Sequence, residues 1–348
     1  MKKKQVVVMT MAAVMACGAM TACGGSKSDA GNNAAAGSEA SGETGSAEGK
    51  QVLSVTTWDN ESTPQFQAVI DAYEEKNPDV EIKIIDTSAD EYNNSLGISL
   101  SAAQPDPDVI WVKDMGSMLQ MADKEQLLPI DEFIKKDNLD LSIYKGAAEQ
   151  LQYNGVSYAL PYRNDWYVLY YNKDLFDAAG VEYPSNDMTW QEYYDLAAKL
   201  TSGEGSSKVY GSHNHTWQAL VTNWAVQDGE HTVVEKDYSF MKPWYEEALA
   251  LQKNGYIQDY ATLKTANIHY TSVFKNQQCA MMPMGTWFIA TMMQSHAAGE
   301  TSFNWGIATI PHPENTEAGY TVGALTPIAI SAFTDQKDLA WDFVKFAS

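Results

Sequence analysis

The apolar positions in the main body of the chain alternate between a two-residue and a 3.6-residue period. Residues 53–58 are rich in strand-forming side chains, and Pro64 then opens a helix in which apolar positions recur at i, i+3, i+4 and i+7. The pattern predicts a second strand over 80–84, a helix over 91–103 and a third strand over 109–112. Strand–helix alternation at this spacing predicts a parallel, doubly wound α/β sheet.

Beyond residue 150 the pattern changes but remains α/β. Asn154 and Gly155 lie between two short strand-forming runs and predict a hairpin turn. Thr189 and Glu192 form a capping-box sequence that opens a helix to Leu200. Further helices are predicted over 217–226, 245–253, 286–293 and from about 335, and strands over 168–171, 279–282, 305–310 and 321–331.

The first 50 residues differ in composition from the rest. Three lysines precede an apolar run at 6–16 that is too short to span a bilayer, as in an export signal. The small residues before Cys23 resemble the lipobox of bacterial lipoproteins, so we expect a signal peptide over 1–22 and a lipidated Cys23. Cys17 is a competing match, and a secretory signal with a chance cysteine is the alternative. Residues 23–50 carry the lipidated cysteine and a flexible linker.

The charge and the cysteine content limit the possible partners and the possible sources of stability. The 348 residues include 23 Lys and Arg against 45 Asp and Glu, a net charge of −22, which argues against nucleic acid as a partner. An acidic body does not adhere to an anionic membrane, so membrane contact is expected through the lipid alone. After cleavage and lipidation only Cys279 remains, so the fold has to rest on its core and not on a disulfide.

Candidate binding residues follow from the predicted sheet. Ligands of open α/β sheets bind beyond the carboxyl ends of the strands. That rule selects Trp58, Asp59, Asn60 and Glu61 after the first strand, and Lys113 and Asp114 after the third. An indole packs against the C–H face of a sugar ring, while carboxylates and amides bind its hydroxyls. The alternatives are a core position for Trp58 and a solvated turn for its neighbours.

Two later segments offer similar chemistry. Residues 163–166 combine the guanidinium of Arg163, the carboxylate of Asp165 and the indole of Trp166, although the charges also suit a plain surface ion pair. Trp287 lies at a predicted strand-to-helix turn. Trp217 is seven residues from Trp224 on a predicted helix, a spacing that also suits a core.

Metal and cofactor signals are weak. His213 and His215 are two residues apart, but no cysteine pair accompanies them. The prolines around 106–108 favour a turn before a strand over a calcium loop. The sequence contains no phosphate-binding, dinucleotide or nucleophile-elbow motif. We expect neither a metal nor a cofactor.

The ordered set of motifs resembles the family 1 extracellular solute-binding proteins of ABC importers, the maltose-binding-protein-like group. The likeness covers about residues 52–348. The motifs that carry it are Trp58 with the following helix, Pro107-Asp108-Val109-Ile110-Trp111, Gly155-Val156-Ser157-Tyr158-Ala159-Leu160-Pro161, Leu169-Tyr170-Tyr171-Asn172-Lys173-Asp174-Leu175-Phe176, Thr189-Trp190, Gly285-Thr286-Trp287 and Ala340-Trp341-Asp342-Phe343.

This resemblance implies a two-lobe periplasmic-binding-protein-like fold (type II). Each lobe would be a mostly parallel sheet flanked by helices, with hinge strands joining the lobes. Lobe I would cover 51–160, lobe II 161–323, and residues 324–348 would return to lobe I, with crossings at Pro161 and Gly323. Because family members continue for several more helices, we expect the chain to be truncated.

The resemblance also implies a ligand site shared by both lobes. Lobe I would contribute Trp58, Asp59, Asn60, Glu61, Lys113 and Asp114, and lobe II would contribute Arg163, Asp165, Trp166, Trp217 and Trp287.

The function implied is that of a monomeric, non-enzymatic lipoprotein. It would sit on the outer face of the bacterial cytoplasmic membrane, capture a sugar (an oligosaccharide) between its lobes and deliver it to the transmembrane subunits of an ABC permease. One alternative is an exported carbohydrate-active enzyme that uses two of the carboxylates. Another is a binding protein for a non-sugar solute such as a peptide, polyamine or metal.

Overall fold

The computed structural model describes residues 49–348, which contain one large mixed sheet and a separate hairpin. The predicted signal peptide, Cys23 and the linker up to residue 48 lie outside the described residues. The strands are β1 (Gln51–Trp58), β2 (Val80–Thr87), β3 (Val109–Trp111), β4 (Gln152–Tyr153), β5 (Val156–Ser157), β6 (Ala159–Asn172), β7 (Tyr210–Ser212), β8 (Cys279–Gly285), β9 (Trp305–Thr309) and β10 (Gly323–Ile330).

Helices connect most of the strands of the sheet. They are α1 (Pro64–Lys76), α2 (Tyr92–Ser101), α3 (Met115–Asp123), α4 (Asp131–Asp137), α5 (Lys173–Ala179), α6 (Trp190–Leu200), α7 (Ala219–Ala225), α8 (Lys242–Lys253), α9 (Tyr260–Thr265), α10 (Tyr270–Lys275), α11 (Trp287–Ala297) and α12 (Lys337–Ala347). Within residues 49–348, none of these helices has the length and apolar character needed to cross a bilayer.

The sheet follows the order β2-β1-β3-β10-β6-β8-β7, with β9 pairing on β6 beside this path. β1 is parallel to both β2 and β3, which confirms the doubly wound arrangement predicted for this part of the chain. The prediction of mostly parallel pairing is wrong for the rest. β10 is antiparallel to β3 and β6, and β8 and β9 are antiparallel to β6. β7 is parallel to β8, so the sheet is mixed beyond its first three strands.

β6 and β10 are the two strands shared by both halves of the sheet. Their register shifts between Thr326 and Pro327, where Pro327 faces Pro161 across the ladder. Proline has no N–H to donate, so a pair of facing prolines interrupts regular pairing and favours a bulge. The irregularity lies close to the crossing that the sequence placed at Pro161.

Two separate hydrophobic cores stand on either side of these shared strands. The first core is built from residues 53–160 together with 328–344, and Trp111 and Phe343 are among its fully buried members. The second core is built from residues 167–310, with Phe274 and Phe288 at its centre. The last helix therefore packs against elements from the beginning of the chain.

Local signals in the sequence located several elements correctly. The hairpin at Asn154 and Gly155 is present between β4 and β5. At the start of α6, the Glu192 N–H donates to Thr189 Oγ1 (3.3 Å) and the Thr189 N–H donates to Glu192 Oε2 (2.8 Å), so both halves of the capping box form. The helix predicted from Trp217 begins only at Ala219.

Candidate ligand-binding site

A cavity of about 540 Å³ is bordered by side chains from both cores. Its volume falls within the range of about 300–1,000 Å³ that is typical of small-molecule sites. The predicted site residues that line this cavity are Trp58, Asp59, Lys113, Asp114, Arg163, Asp165, Trp217 and Trp287. The fold thus brings residues from distant parts of the sequence to one concave surface.

Three loops form the acidic rim of the cavity, one after each of the parallel strands. Because parallel strands end at the same edge of a sheet, the loops after β1, β2 and β3 meet there. Asp59 turns the chain in a left-handed conformation (φ 46°), and its Oδ1 accepts a hydrogen bond from the Ala89 N–H (2.9 Å). Asp114 caps α3, and its Oδ1 accepts from the Ser117 N–H (2.7 Å).

The floor of the cavity consists of alternate residues from the two shared strands. Arg163, Asp165 and Tyr167 lie two residues apart on β6, so they point to the same face. On β10, Thr326 is paired with Arg163 and Ala324 with Asp165, and both line the cavity. The small side chains on β10 leave space above the larger ones on β6.

The charges on this floor are paired. Arg163 Nε lies 2.6 Å from Asp165 Oδ2, with only 21% and 7% of the two side chains exposed. Thr286 Oγ1 donates to Asp165 Oδ1 (2.8 Å), which fixes the carboxylate against the turn before α11. Asp165 is therefore held in one orientation beneath the cavity.

Aromatic side chains form another part of the cavity lining, the aromatic wall. The ring centroids of Trp217 and Trp287 are 6.0 Å apart, and Tyr167 contacts Trp287 edge to face at 5.5 Å. Tyr270 packs against Trp217 at 5.4 Å. The Trp287 ring lies directly over Gly285, where an added Cβ would stand 2.0 Å from the ring. A glycine is required there because only a bare backbone leaves room for the indole.

Lys113 and Trp58 support the rim. Lys113 Nζ donates to the Ala89 carbonyl oxygen (2.6 Å) and lies 5.5 Å from the centroid of the Trp58 ring. Burial lowers the pKa of Lys113, against the opposing effect of the carboxylates of Asp59, Asp90 and Asp114. Trp58 is only 9% exposed, so it is mainly a core residue whose edge reaches the cavity.

Three histidines lie behind and beside the aromatic wall. His213 and His215 are buried, with ring centroids 6.0 Å apart, and His215 is 5.4 Å from His269, which lines the cavity. Burial lowers the pKa of His213 to about 3 and that of His215 to about 4, so both are neutral at physiological pH. Among residues 49–348, no group of three or more His, Cys, Asp or Glu residues is arranged to hold a metal ion.

Three predicted site residues do not line this cavity. Trp166 follows Asp165 on β6 and so points to the opposite face, where it is 47% exposed. Asn60 stabilises the turn after β1 through its N–H to Asp86 Oδ1 (3.2 Å). Glu61 lines a neighbouring cavity of about 620 Å³ with Asp59, Asp86, Lys275 and Glu300 among its other residues.

The structure also adds residues that the sequence analysis missed. Asp90 follows β2, and the same strand-end rule applied to that strand selects it. Tyr167 continues the two-residue spacing of Arg163 and Asp165. His269 and Tyr270 lie at the start of the short helix α10, where no periodic signal marks them.

Two α/β cores joined by shared strands, with a polar and aromatic cavity bordered by both, define a protein that binds small solutes. The chain belongs to the bacterial extracellular solute-binding protein family, whose profile matches residues 59–348.

Individual relatives show how far the similarity extends. A sugar transporter from Rhizobium etli, solved in an open conformation, is 39% identical and superposes with a TM-score of 0.67, covering 85% of this chain and 76% of that one. An ABC substrate-binding protein from Listeria monocytogenes in complex with cycloalternan shares the fold at 23% identity, with a TM-score of 0.73 and coverage of 86% and 75%.

A curated relative, the sn-glycerol-3-phosphate-binding periplasmic protein UgpB of Pectobacterium atrosepticum, is 26% identical over 287 residues. The match covers 77% of this chain but only 62% of UgpB.

Proposed function

We propose that this protein is the substrate-binding lipoprotein of an ABC importer, and that it captures a saccharide and delivers it to a membrane permease. The observation that carries the proposal is that the aromatic wall of Trp217, Trp287 and Tyr270 lines the same cavity as a set of carboxylates. The Rhizobium etli relative, described as a sugar transporter, supports it at 39% identity.

The cavity offers two kinds of side chain, and these suit the two kinds of group on a sugar ring. The indole faces of Trp217 and Trp287 offer flat apolar surface for the C–H groups. The carboxylates of Asp59, Asp114 and Asp165 accept hydrogen bonds from hydroxyl groups, and charge-assisted hydrogen bonds of this kind are about twice as strong as neutral ones. In this assignment Trp58 and Lys113 shape the rim, and Arg163 orients Asp165.

The proposed mechanism is closure of two lobes, with no covalent step. Lobe I would comprise residues 51–160 and 324–348, and lobe II residues 161–323, with β6 and β10 as the hinge strands. A ligand shifts such an equilibrium only by its differential affinity for the two states. A saccharide that touches both the acidic rim and the aromatic wall therefore stabilises the closed state.

The membrane anchor is a further part of the proposal. A lipid on Cys23 would hold the protein at the outer face of the cytoplasmic membrane. We expect labelled palmitate to be incorporated into the wild-type protein and lost in Cys23→Ser. Cys17→Ser is the matched control, and loss of label in that variant alone would place the anchor at Cys17.

A ligand panel tests the proposed function. We expect oligosaccharides to raise the melting temperature, since a ligand at 100 times its Kd stabilises a protein by about 2.7 kcal/mol. Peptides, polyamines and divalent cations serve as alternative ligands in the same assay. A shift with one of these and none with any saccharide would contradict the proposal, and release of product from an oligosaccharide would indicate an enzyme.

A further inference from the structure

The charges that line the cavity do not balance. Four carboxylates, those of Asp59, Asp90, Asp114 and Asp165, face two cations, Lys113 and Arg163. His269 also lines the cavity. Burial lowers the pKa of its imidazole, which keeps this side chain uncharged at neutral pH. The lining therefore carries a formal net charge of −2.

Both cations already have partners. Lys113 donates to the Ala89 carbonyl oxygen at 2.6 Å, and Asp165 Oδ2 lies 2.6 Å from Arg163 Nε. Arg163 Nη1 and Nε are both buried without a hydrogen-bond partner among the described residues, so the contact between Nε and Asp165 is an ion pair. Bidentate recognition of a phosphate uses two parallel N–H groups of the guanidinium, and the Asp165 carboxylate beside Nε places a negative charge next to any phosphate that would bind there.

Carboxylates of the protein lie beside two helix N-termini that border the cavity, those of α3 and α11. The first turn of a helix is the usual place for a protein to bind a phosphate through backbone N–H groups. At α3, the Asp114 carboxylate takes the Ser117 N–H and Oγ at 2.7 and 2.8 Å. At α11 no side chain caps the backbone N–H groups, but Thr286, directly before the helix, donates its hydroxyl to Asp165 and so holds that carboxylate beside this end. Each terminus already has a carboxylate of the protein beside it.

The neighbouring cavity of about 620 Å³ extends the acidic character. It shares Asp59 with the first cavity and adds Glu61, Asp86 and Glu300 against one cation, Lys275, whose Nζ is paired with Glu300 at 2.5 Å. An anion that approaches from this side meets a negative potential before it reaches the aromatic wall.

We infer that this site excludes phosphorylated and other anionic solutes and takes uncharged or cationic saccharides, and that Asp90 and Asp114 on the exposed rim are the residues that determine this specificity. The inference rests on the proposed function, because it deepens the assignment of the same cavity. The inference gives this protein a ligand specificity different from the one for which the curated relatives, the sn-glycerol-3-phosphate-binding proteins, are named.

The test compares charged and uncharged probes on the full chain by calorimetry. Maltose and mannobiose are the neutral probes, glucosamine the cationic one, and sn-glycerol 3-phosphate and glucose 6-phosphate the anionic ones. We expect both phosphate esters to bind at least tenfold more weakly than the tightest neutral or cationic probe. The double variant Asp90→Asn/Asp114→Asn keeps side-chain shape and the ability to cap α3, and we expect at least a tenfold gain in affinity for sn-glycerol 3-phosphate.

The matched control is Glu75→Gln/Glu132→Gln, which changes net charge equally at exposed helix positions away from either cavity. It should gain nothing. An equal gain in the control, no gain in the cavity variant, or a wild type that binds a phosphate ester as tightly as any saccharide would each overturn the inference. If no probe of any kind binds the wild type and the double variant gains sn-glycerol 3-phosphate, the charge exclusion stands and the saccharide function fails.

Discussion

Replacing Trp287 by alanine is expected to weaken saccharide binding by about 30- to 1,000-fold, that is by about 2–4 kcal/mol, the range of buried aromatic anchors. Its indole is only partly buried and lies between Tyr167 and Trp217 over the cavity. Truncation removes the flat surface and leaves its neighbours without a packing partner. Calorimetric titration with the saccharide that gives the largest thermal shift measures the loss.

Two further variants make this prediction specific to the position of the ring. Gly285→Ala keeps Trp287 but places a Cβ 2.0 Å from its ring, so the indole has to move and part of the affinity should be lost. Trp166→Ala removes an indole that points away from the cavity and should change affinity by only a factor of about two, as for ordinary surface substitutions. Equal losses in Trp166→Ala and Trp287→Ala would contradict the assignment.

Much of the fold can be predicted from the sequence because the signals that define its elements are local. The capping box at Thr189, the hairpin at Gly155 and the helix after Pro64 each depend on residues a few positions apart. The residues of the acidic rim can be predicted for a related reason. Once β1 and β3 are assigned as parallel strands, the chain after each of them is brought to the same edge without further information.

The cavity floor shows what the sequence analysis lacked. In the sequence, residues 163–166 form one polar cluster, which predicts the same role for Arg163, Asp165 and Trp166. The structure places them in a continuous strand, where alternate side chains separate Trp166 from the other two. The distinction depends on pairing with β10, more than 150 positions away, which local periodicity does not reveal.

The two tryptophans near α7 illustrate the same limit. The seven-residue spacing of Trp217 and Trp224 predicts one buried helix face. Trp224 is buried, with its ring centroid 5.0 Å from that of Trp190. Trp217 lies before the helix begins and lines the cavity instead. A shift of two residues in the helix boundary therefore separates a core residue from a candidate ligand contact.

Acid is expected to destabilise the fold before its carboxylates titrate. Burial lowers the pKa of His213 to about 3 and of His215 to about 4, from the ordinary value near 6.5. Below pH 6.5 the unfolded chain binds protons at both positions while the folded chain does not, so the free energy of unfolding falls as the pH decreases. The loss is on the order of 3 kcal/mol for each histidine at pH 4.

Urea unfolding between pH 6.5 and 5 measures this slope. His213→Leu removes one of the two groups, so its stability should fall less steeply than that of the wild type, by about 1.4 kcal/mol per pH unit at full protonation of the unfolded chain. The control is His231→Gln. A hydrogen bond to Asp228 raises the pKa of His231, so its stabilisation is present below pH 6.5 and is lost as the pH rises through the folded value. In His231→Gln, stability should therefore fall with decreasing pH at least as steeply as in the wild type. If His213→Leu shows the same slope as the wild type, the buried imidazole takes up a proton within the fold.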